Sequence, residues 1–476
     1  MKPIHRFFCV LLSSMLVLCA GTAAVNIERD PLGILRGDFS GVRQEPDQHF
    51  VKMRYILSHP DRYDSFAFGS SRMAKIDLSR AGDGWYCLSY SQGASDEWLA
   101  DLKQLLAAGV PVRRLLIGLD DASFRLPPGI HEGNFDFRRP YHPYDVPFYL
   151  QELFRRPQRP DAAFIAAHGS IFDIYGTGRV FVPERVDAAI DANPAAHAQD
   201  ERLFSSSAYR GNHMEETLTT LKELKSLAET HGIEITFFFH PIYQTTYMDN
   251  DAEELDAFKR QLAAITDYYD FSGLNAVTQA PQCYYESSHY RPSVGDKIVD
   301  RIYGNAPESA NGFGAYVTAS TVDAHLAQLA AQRGPWEAAH PHFHEEQALR
   351  RGWTAYLPER FAQAGAAEPA LVCHTDQQPG NGHGHLTGWL TAGTERTSEV
   401  LACLSSDNGT RLYMRLPTLS RPDIVQSLHN EFATGFDTEI PVTSAPPSGR
   451  YQLSILVRTE SGHVLTSTPL GNVVVP

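Results

Sequence analysis

Short apolar segments alternate with amphipathic segments between about Asp64 and Gly304, and this alternation constrains the fold more than any other feature of the chain. The apolar segments are runs of the kind expected for strands that are buried on both faces: SFAFGS, GWYCLSY, RRLLIGL and IEITFFFHP. The segments between them carry apolar residues at helical spacing: DEWLADLKQLLAAG, TLTTLKELKSLAETHG, DAEELDAFKRQLAAI and SVGDKIVDRIYG. Strands that alternate with helices predict an α/β fold with a parallel sheet and helices on both of its faces.

The chain has 476 residues, which is too long for one compact core, and its pattern changes along its length. Residues 125–212 interrupt the alternation with Pro-, Arg- and aromatic-rich pieces, and we interpret them as an insertion that forms a lid or one wall of a cleft, with a merely decorative excursion as the alternative. Residues 306–366 predict a helical connector. Residues 367–476 consist of short strand-like segments separated by turn signals, which predicts a C-terminal β-sandwich domain.

The N-terminus carries an export segment. Lys2 and Arg6 precede an apolar run from Phe7 to about Ala24 that ends in small residues, which is the layout of an export signal. The run is also close to the roughly 20 residues that span a bilayer, so residues 1–25 are either a signal peptide or an N-terminal membrane anchor. In both cases the rest of the chain is periplasmic or at the cell surface. A net charge of −15 without a basic stripe argues against a nucleic-acid partner.

Four cysteines lie beyond the export segment: Cys87, Cys283, Cys373 and Cys403. Four cysteines permit three pairings, and sequence does not choose among them. Cys373 and Cys403 both lie in strand-like segments of the C-terminal part, so a disulfide between them is our first expectation. No cysteine has CxxC or CxxH spacing, and neither a metal site nor another cofactor is predicted.

Two distant pieces of the chain carry residues suited to nucleophilic catalysis. The first is FGSSR, which places Ser70 and Ser71 in a turn between a strand and a helix-like segment. The second is YYESSHYRPSVG, in which Glu286 and His289 are three residues apart, so that the acid can orient the imidazole. A serine nucleophile needs such a base and acid, together with hydrogen-bond donors for the oxyanion. Taken alone, each piece is also compatible with ordinary turn or surface chemistry.

In this order, GSSR and ESSHYRP resemble the SGNH (GDSL-type) hydrolase superfamily over roughly residues 26–305. The likeness is strongest to the membrane-associated SGNH-like proteins of bacterial polysaccharide O-acetylation. It implies a flavodoxin-like, three-layer α/β domain with a parallel sheet. It also implies that Ser71 is the nucleophile, that His289 is the general base and that Glu286 is the acid that orients it.

The remaining family positions fit less closely. Gly93 in SYSQGAS matches the glycine that normally gives an oxyanion N–H, but Asp120 in GLDD stands where the family has an asparagine. Since an ionised carboxylate repels an oxyanion, either Asp120 is protonated or turned away, or the oxyanion relies on the N–H groups of Ser71 and Gly93. Arg72 and His240 are further candidates for substrate binding. Their alternatives are an ion pair with an acidic neighbour and a buried structural role, respectively.

The resemblance implies an exported serine acyl esterase or O-acyltransferase that acts on acetyl groups of an extracellular or periplasmic polysaccharide. Its partners are then a polysaccharide or acylated glycan as substrate and, as a further expectation, a membrane protein that donates the acyl group. The alternative is a catalytically inactive glycan-binding or scaffold component of a polysaccharide secretion or modification complex, which Asp120 and the C-terminal domain favour.

Overall fold

The computed structural model describes residues 3–30, 33–36, 47–131, 139–155, 172–304, 306–307, 312–362, 371–378, 384–428, 430–440 and 446–475. The chain divides into two compact units, Met1–Pro335 and Trp336–Pro476.

The first unit is built on a six-stranded sheet with the order β2-β1-β3-β4-β5-β6. Its strands are β1 (Ser65–Phe68), β2 (Trp85–Cys87), β3 (Arg114–Leu119), β4 (Glu234–Phe239), β5 (Tyr268–Asp270) and β6 (Ala315–Val317). The first five pair in parallel, and β6 pairs antiparallel with β5. The order 2-1-3-4-5 is that of flavodoxin-type doubly wound sheets, in which ligands bind at the carboxyl ends of the strands.

The helices described in this unit connect or flank these strands. They are α1 (Pro3–Arg29), α2 (Gln48–Ser58), α3 (Ser95–Ala107), α4 (Ala122–Arg125), α5 (Val146–Phe154), α6 (Glu184–Ala192), α7 (Pro194–Gln199), α8 (Glu201–Phe204), α9 (Met214–Thr230), α10 (Gln244–Asp249), α11 (Ala252–Ala263), α12 (Pro292–Ile302) and α13 (Val322–Ala339), the last of which begins in this unit and ends in the second. The four predicted helices correspond to α3, α9, α11 and α12, and the four predicted strands correspond to β1–β4. The mixed α/β class is therefore confirmed.

Two expectations about this unit need correction. The sheet is mixed rather than wholly parallel, because the segment assigned to the helical connector first returns along β5 as the antiparallel strand β6. The helix-like segment after Ser71 forms only the 3₁₀ turns Met73–Lys75 and Leu78–Ala81. Consequently, no α-helix begins directly behind the serines, and no α-helix N-terminus faces them from this segment.

The insertion at residues 125–212 contains helices α5 to α8. Residues 132–138 and 156–171 of it lie outside the described part of the chain. Its interpretation as a lid or cleft wall stays a prediction.

Helix α1 contains the apolar N-terminal run. Its segment Ile4–Arg29 is 26 residues long, reaches a mean hydropathy of 2.2 and is unburied over that apolar window. Length and composition make it compatible with a signal peptide or a membrane anchor.

The second unit contains two antiparallel sheets. The strands are β7 (Leu371–Gln377), β8 (Gly384–Ala392), β9 (Thr397–Ser406), β10 (Arg411–Arg415), β11 (Thr418–Ser420), β12 (Thr434–Ile440), β13 (Gly449–Thr459), β14 (Val464–Thr466) and β15 (Gly471–Val475), with helices α14 (Phe343–Arg351) and α15 (Pro422–Leu428). One sheet has the order β10-β9-β13-β14 with β15 beside β13, and the other has the order β11-β12-β8-β7. Apolar side chains from both sheets form one core, for example Leu390 and Phe436 from one and Ala402 and Ile455 from the other.

The expected disulfide between Cys373 and Cys403 is not formed, and both thiols are free. Cys373 packs against the core shared by the two sheets, to which Ala402 and Leu404 of β9 also contribute. Because side chains alternate along a strand, Cys403 points to the opposite face of β9, where it packs with Phe361. The two cysteines therefore face different environments.

Candidate active site

The candidate active site lies at the edge of the first sheet where the parallel strands end. Ser70 and Ser71 follow β1, Asp120 follows β3, and His240 follows β4. The carboxyl ends of parallel strands meet at one edge, so residues far apart in sequence converge there. His289 reaches the same place from the segment between β5 and α12, as its contact with Ser71 shows.

A tight turn after β1 places the side chains of the two adjacent serines in different surroundings. The Met73 N–H donates to the carbonyl oxygen of Ser70 at 3.1 Å, which closes a turn directly after β1. Ser70 is buried, and its hydroxyl donates to Asp120 Oδ2 at 2.6 Å. Ser71 is partly exposed, and its Oγ lies 2.7 Å from His289 Nε2. The turn therefore places the Ser71 hydroxyl beside a base, His289, whereas the Ser70 hydroxyl supports the site through its bond to Asp120.

A short hairpin-like loop holds His289. Tyr284 and Tyr290 form an antiparallel bridge, and the Tyr285 N–H donates to the His289 carbonyl at 2.9 Å. Inside this loop, the carboxylate of Glu286 contacts His289 Nδ1 and accepts the Ser288 N–H at 2.7 Å. Burial opposes ionisation of Glu286, but the hydrogen bonds from His289 and Ser288 outweigh it and hold the pKa of this carboxyl below its usual value.

The structure therefore brings together the three residues that the sequence suggested as a catalytic set. Because the ionised Glu286 accepts the Nδ1–H of His289, the Nε2 atom is left to accept the Ser71 proton. Both Glu286 and His289 are about one-third exposed, at 32% and 31%, so a substrate can approach the pair. A serine, an imidazole and a carboxylate in this order can perform acyl transfer.

Asp120 is engaged in a buried ion pair. Its Oδ2 lies 2.6 Å from Arg72 Nη1, and the same oxygen accepts the Ser70 hydroxyl. Burial raises the pKa of Asp120, but the Arg72 guanidinium, together with the other interactions of this carboxylate such as the hydrogen bond from Ser70, more than offsets this and holds that pKa below its usual value. Asp120 is therefore ionised and committed to Arg72 and Ser70, which matches the turned-away alternative rather than the protonated one.

Arg72 links the two halves of the site instead of facing a substrate. It is 2% exposed, and its guanidinium contacts Asp121 Oδ1 at 3.4 Å in addition to Asp120. Its Nε donates to the Ser288 carbonyl at 2.8 Å, and its Nη2 donates to Ser288 Oγ at 3.1 Å. The expectation that Arg72 binds substrate is thus corrected: its donors are occupied, and it is a positioning residue.

Gly93 contributes close packing to the site. Its N–H donates to the Tyr90 carbonyl at 3.2 Å and is therefore not directed at an oxyanion, contrary to the expected role. A Cβ at Gly93 would lie 2.2 Å from the carbonyl oxygen of Gly69, so only glycine fits against the turn that carries the serines. The N–H of Ser71 has no hydrogen-bond acceptor among the described residues, which leaves it as the available donor at this point.

His240 is buried beneath the site rather than exposed in a cleft. Its Nδ1 lies 3.0 Å from the Tyr290 hydroxyl, and burial lowers the pKa of the imidazole to about 3. The ring is therefore neutral. A Cβ at Gly118 would lie 2.3 Å from Nε2, so this ring edge packs directly on β3. The expectation that His240 binds substrate is therefore corrected: His240 has the buried structural role that was its alternative.

A cavity of about 470 Å³ has Ala94, the residue that follows Gly93, in its wall. Two other wall residues, His49 and Asp101, are joined by a 2.8 Å contact between Nε2 and Oδ1. Ser71 and His289 are not among the residues described as lining it. Throughout the described residues, no group of three or more His, Cys, Asp or Glu side chains is arranged to hold a metal ion.

Three residues of the site were not anticipated from the sequence: Ser288, Asp121 and Tyr290. Asp121 had a usable signal, since two adjacent carboxylates at the end of one strand favour a cation at the end of its neighbour, where Arg72 lies. The bond between Ser288 and Arg72 and that between Tyr290 and His240 depend on the loop conformation, which no sequence pattern specified.

No protein-family model and no curated protein matches this chain. Among solved structures, an engineered protein is similar with 12% sequence identity over 89% of this chain and 97% of its own, at a TM-score of 0.15. A likeness of that size carries no argument about fold or function.

Proposed function

We propose that the chain is an exported, SGNH-like serine acyl esterase or O-acyltransferase that acts on acetyl groups of a periplasmic or extracellular polysaccharide. The observation that carries this proposal is the 2.7 Å contact between Ser71 Oγ and His289 Nε2, with Glu286 on the other ring nitrogen. The position of the set at the carboxyl edge of a sheet ordered 2-1-3-4-5 also supports it.

The proposed reaction is acyl transfer through an acyl-enzyme. Ser71 Oγ attacks the carbonyl carbon of an acetyl ester while His289 Nε2 takes the hydroxyl proton, and Glu286 stabilises the resulting imidazolium. The Ser71 N–H donates to the oxyanion. Collapse of the tetrahedral intermediate breaks the ester bond, and the departing sugar oxygen takes the proton from Nε2. Water or a second sugar hydroxyl then attacks the acyl carbon while His289 Nε2 takes its proton. The bond from this carbon to Ser71 Oγ breaks, Oγ takes the proton from Nε2, and acetate or an acetylated sugar leaves.

The acetyl group and the polysaccharide rest on the resemblance carried by GSSR and ESSHYRP. The N-terminal apolar helix supports export, and hence a substrate outside the cytoplasm. A membrane protein that supplies the acyl group is a further partner that the resemblance implies for the transferase form of the reaction.

The second candidate function is a catalytically inactive glycan-binding or scaffold component, and two observations favour it. Asp120 is an ionised carboxylate where the resembled family has an asparagine donor, and the Gly93 N–H is bonded to Tyr90. The loss of one oxyanion donor typically lowers a rate about 100- to 1,000-fold. The two candidates therefore differ in whether the donor at Ser71 suffices.

Hydrolysis of p-nitrophenyl acetate by residues 26–476 distinguishes the enzyme from the inactive component. We expect Ser71→Ala and His289→Ala to fall to the uncatalysed background, and Ser70→Ala, which changes the neighbouring hydroxyl, to lose far less activity. Circular dichroism should show that all three variants are folded. Equal background rates for the wild type, Ser71→Ala and His289→Ala would support the inactive candidate.

A further inference from the structure

Helix α5 carries an exposed apolar stripe that the proposed function does not use. Val146, Leu150 and Phe154 are spaced by four residues, so they share one face of the helix, and they are 59%, 48% and 49% exposed. Tyr144, just before the helix, is 90% exposed. Phe148, in contrast, is buried on the inner face. An apolar stripe that is exposed in this way is typical of a helix that contacts another apolar phase.

The C-terminal end of α5 is bonded to the C-terminal end of α1. The side chain of Asn26 is nearly buried, and its Nδ2 donates to the carbonyl oxygens of Leu153 at 2.9 Å and Arg155 at 2.8 Å. These carbonyls lie at a helix terminus, where they lack partners within the helix. Asn26 therefore fixes α5 to the point where α1 enters the folded unit.

The length of α1 places this contact at a membrane surface. At 1.5 Å per residue, the roughly 30 Å hydrocarbon core of a bilayer takes about 20 residues. Counted from Phe7, where the apolar run begins, the span of about 20 residues ends near Asn26. Asn26 lies at that end, so the α5 terminus that it holds lies at the boundary between lipid and water.

We propose that α1 stays in the bilayer as an anchor and that α5 lies along the surface of the same bilayer, with Val146, Leu150 and Phe154 inserted at the boundary between head groups and acyl chains. Interfacial helices use this combination of an apolar stripe and an opposite polar or buried face. Tyr144 is then at the depth that aromatic residues favour, and Arg29, at the end of α1, is among the lipid head groups. The first unit is thereby held against the membrane.

The test uses the full chain with Cys9→Ala, Cys19→Ala, Cys283→Ala and Cys373→Ala, which removes the exposed and partly exposed thiols, reconstituted in vesicles of phosphatidylcholine and phosphatidylglycerol. An environment-sensitive fluorophore is attached at Leu150→Cys and, as the control, at Lys222→Cys, an exposed position on α9. We expect lipids with brominated acyl chains to quench the label at residue 150 several-fold more than the label at residue 222. Equal quenching at the two positions would overturn the proposal.

Further measurements keep the outcome unambiguous. The intact mass of protein extracted from membranes should include residues 1–25, and a mass that lacks them would overturn the anchor. The substitution Phe154→Asp should reduce the quenching of a label at Val146→Cys while circular dichroism stays unchanged. If the label at residue 150 is shielded in detergent without lipid, and the particle has the size of a dimer, a second copy covers the stripe and the proposal is rejected.

Discussion

Arg72 Nε donates a hydrogen bond to the carbonyl oxygen of Ser288 at 2.8 Å, so the residue that follows Ser71 is bound to the residue that precedes His289. The same guanidinium is paired with Asp120 inside the unit. The distance between the nucleophile and its base is therefore set by a buried ion pair that spans the ends of β1 and β3. It does not depend on loop packing alone.

Replacement of the Arg72 guanidinium by an uncharged side chain should lower the free energy of unfolding of the first unit. Arg72→Met leaves two carboxylates, Asp120 and Asp121, buried without their cation, and removal of one partner from a buried pair costs about 3–5 kcal/mol. Arg80→Met is the matched control, because Arg80 pairs with Asp300 on the surface and such pairs contribute little. Urea unfolding measures both. An equal loss in the two variants would contradict the role assigned to Arg72.

Addition of one methyl group at Gly93 should lower activity without removing any catalytic side chain. The Cβ of Gly93→Ala would meet the Gly69 carbonyl at 2.2 Å and displace the turn that carries Ser71. A shift of about 1 Å can lower a rate about 100-fold. Gly334→Ala is the control, since a Cβ there meets nothing within 4 Å. Ester hydrolysis by both variants gives the comparison, and unchanged activity in Gly93→Ala would count against this account of the turn.

The buried His240 should make the first unit less stable in mild acid. Burial lowers its pKa to about 3 from 6.5, so between these values the unfolded chain binds a proton that the folded chain does not. The free energy of unfolding therefore falls as the pH falls through this window, by up to about 1.4 kcal/mol per pH unit from this group. His240→Gln lacks the titrating ring, so its unfolding free energy should decline less steeply between about pH 6 and about pH 4. If the unfolding free energies of the wild type and His240→Gln decline in parallel with falling pH, the effect assigned to His240 is excluded.

The cysteines should all remain as thiols. Cys403 faces away from the core that Cys373 contacts, so the two sulfur atoms are on different sides of β9. Thiol titration of the unfolded full chain without reductant should therefore find six thiols, the number of cysteines in the sequence. A count of four would indicate a disulfide that this structure does not contain.

The sequence predicted those parts of the fold that depend on local patterns. Long apolar runs specified β3 and β4, whereas β5 and β6 have only three residues each and give no comparable signal. Likewise, Ser71, His289 and Glu286 could be selected because short motifs carry them. The commitment of Arg72 to Asp120 and the burial of His240 depend on the register of neighbouring strands, which single-sequence patterns do not specify. The disulfide expectation failed because strand-like sequence does not reveal which face a cysteine occupies.

Covalent labelling of the full chain by a fluorophosphonate tests the central claim most directly, because this reagent bonds to a serine that a base has activated. The tryptic peptide Tyr63–Arg72 contains both candidate serines, and fragmentation of it by mass spectrometry assigns the modified residue. We predict modification at Ser71 in the wild type and in Ser70→Ala, and none in Ser71→Ala or His289→Ala. An unmodified Ser71 in the wild type, or equal modification in His289→Ala, would contradict the claim that Ser71 and His289 form a catalytic pair.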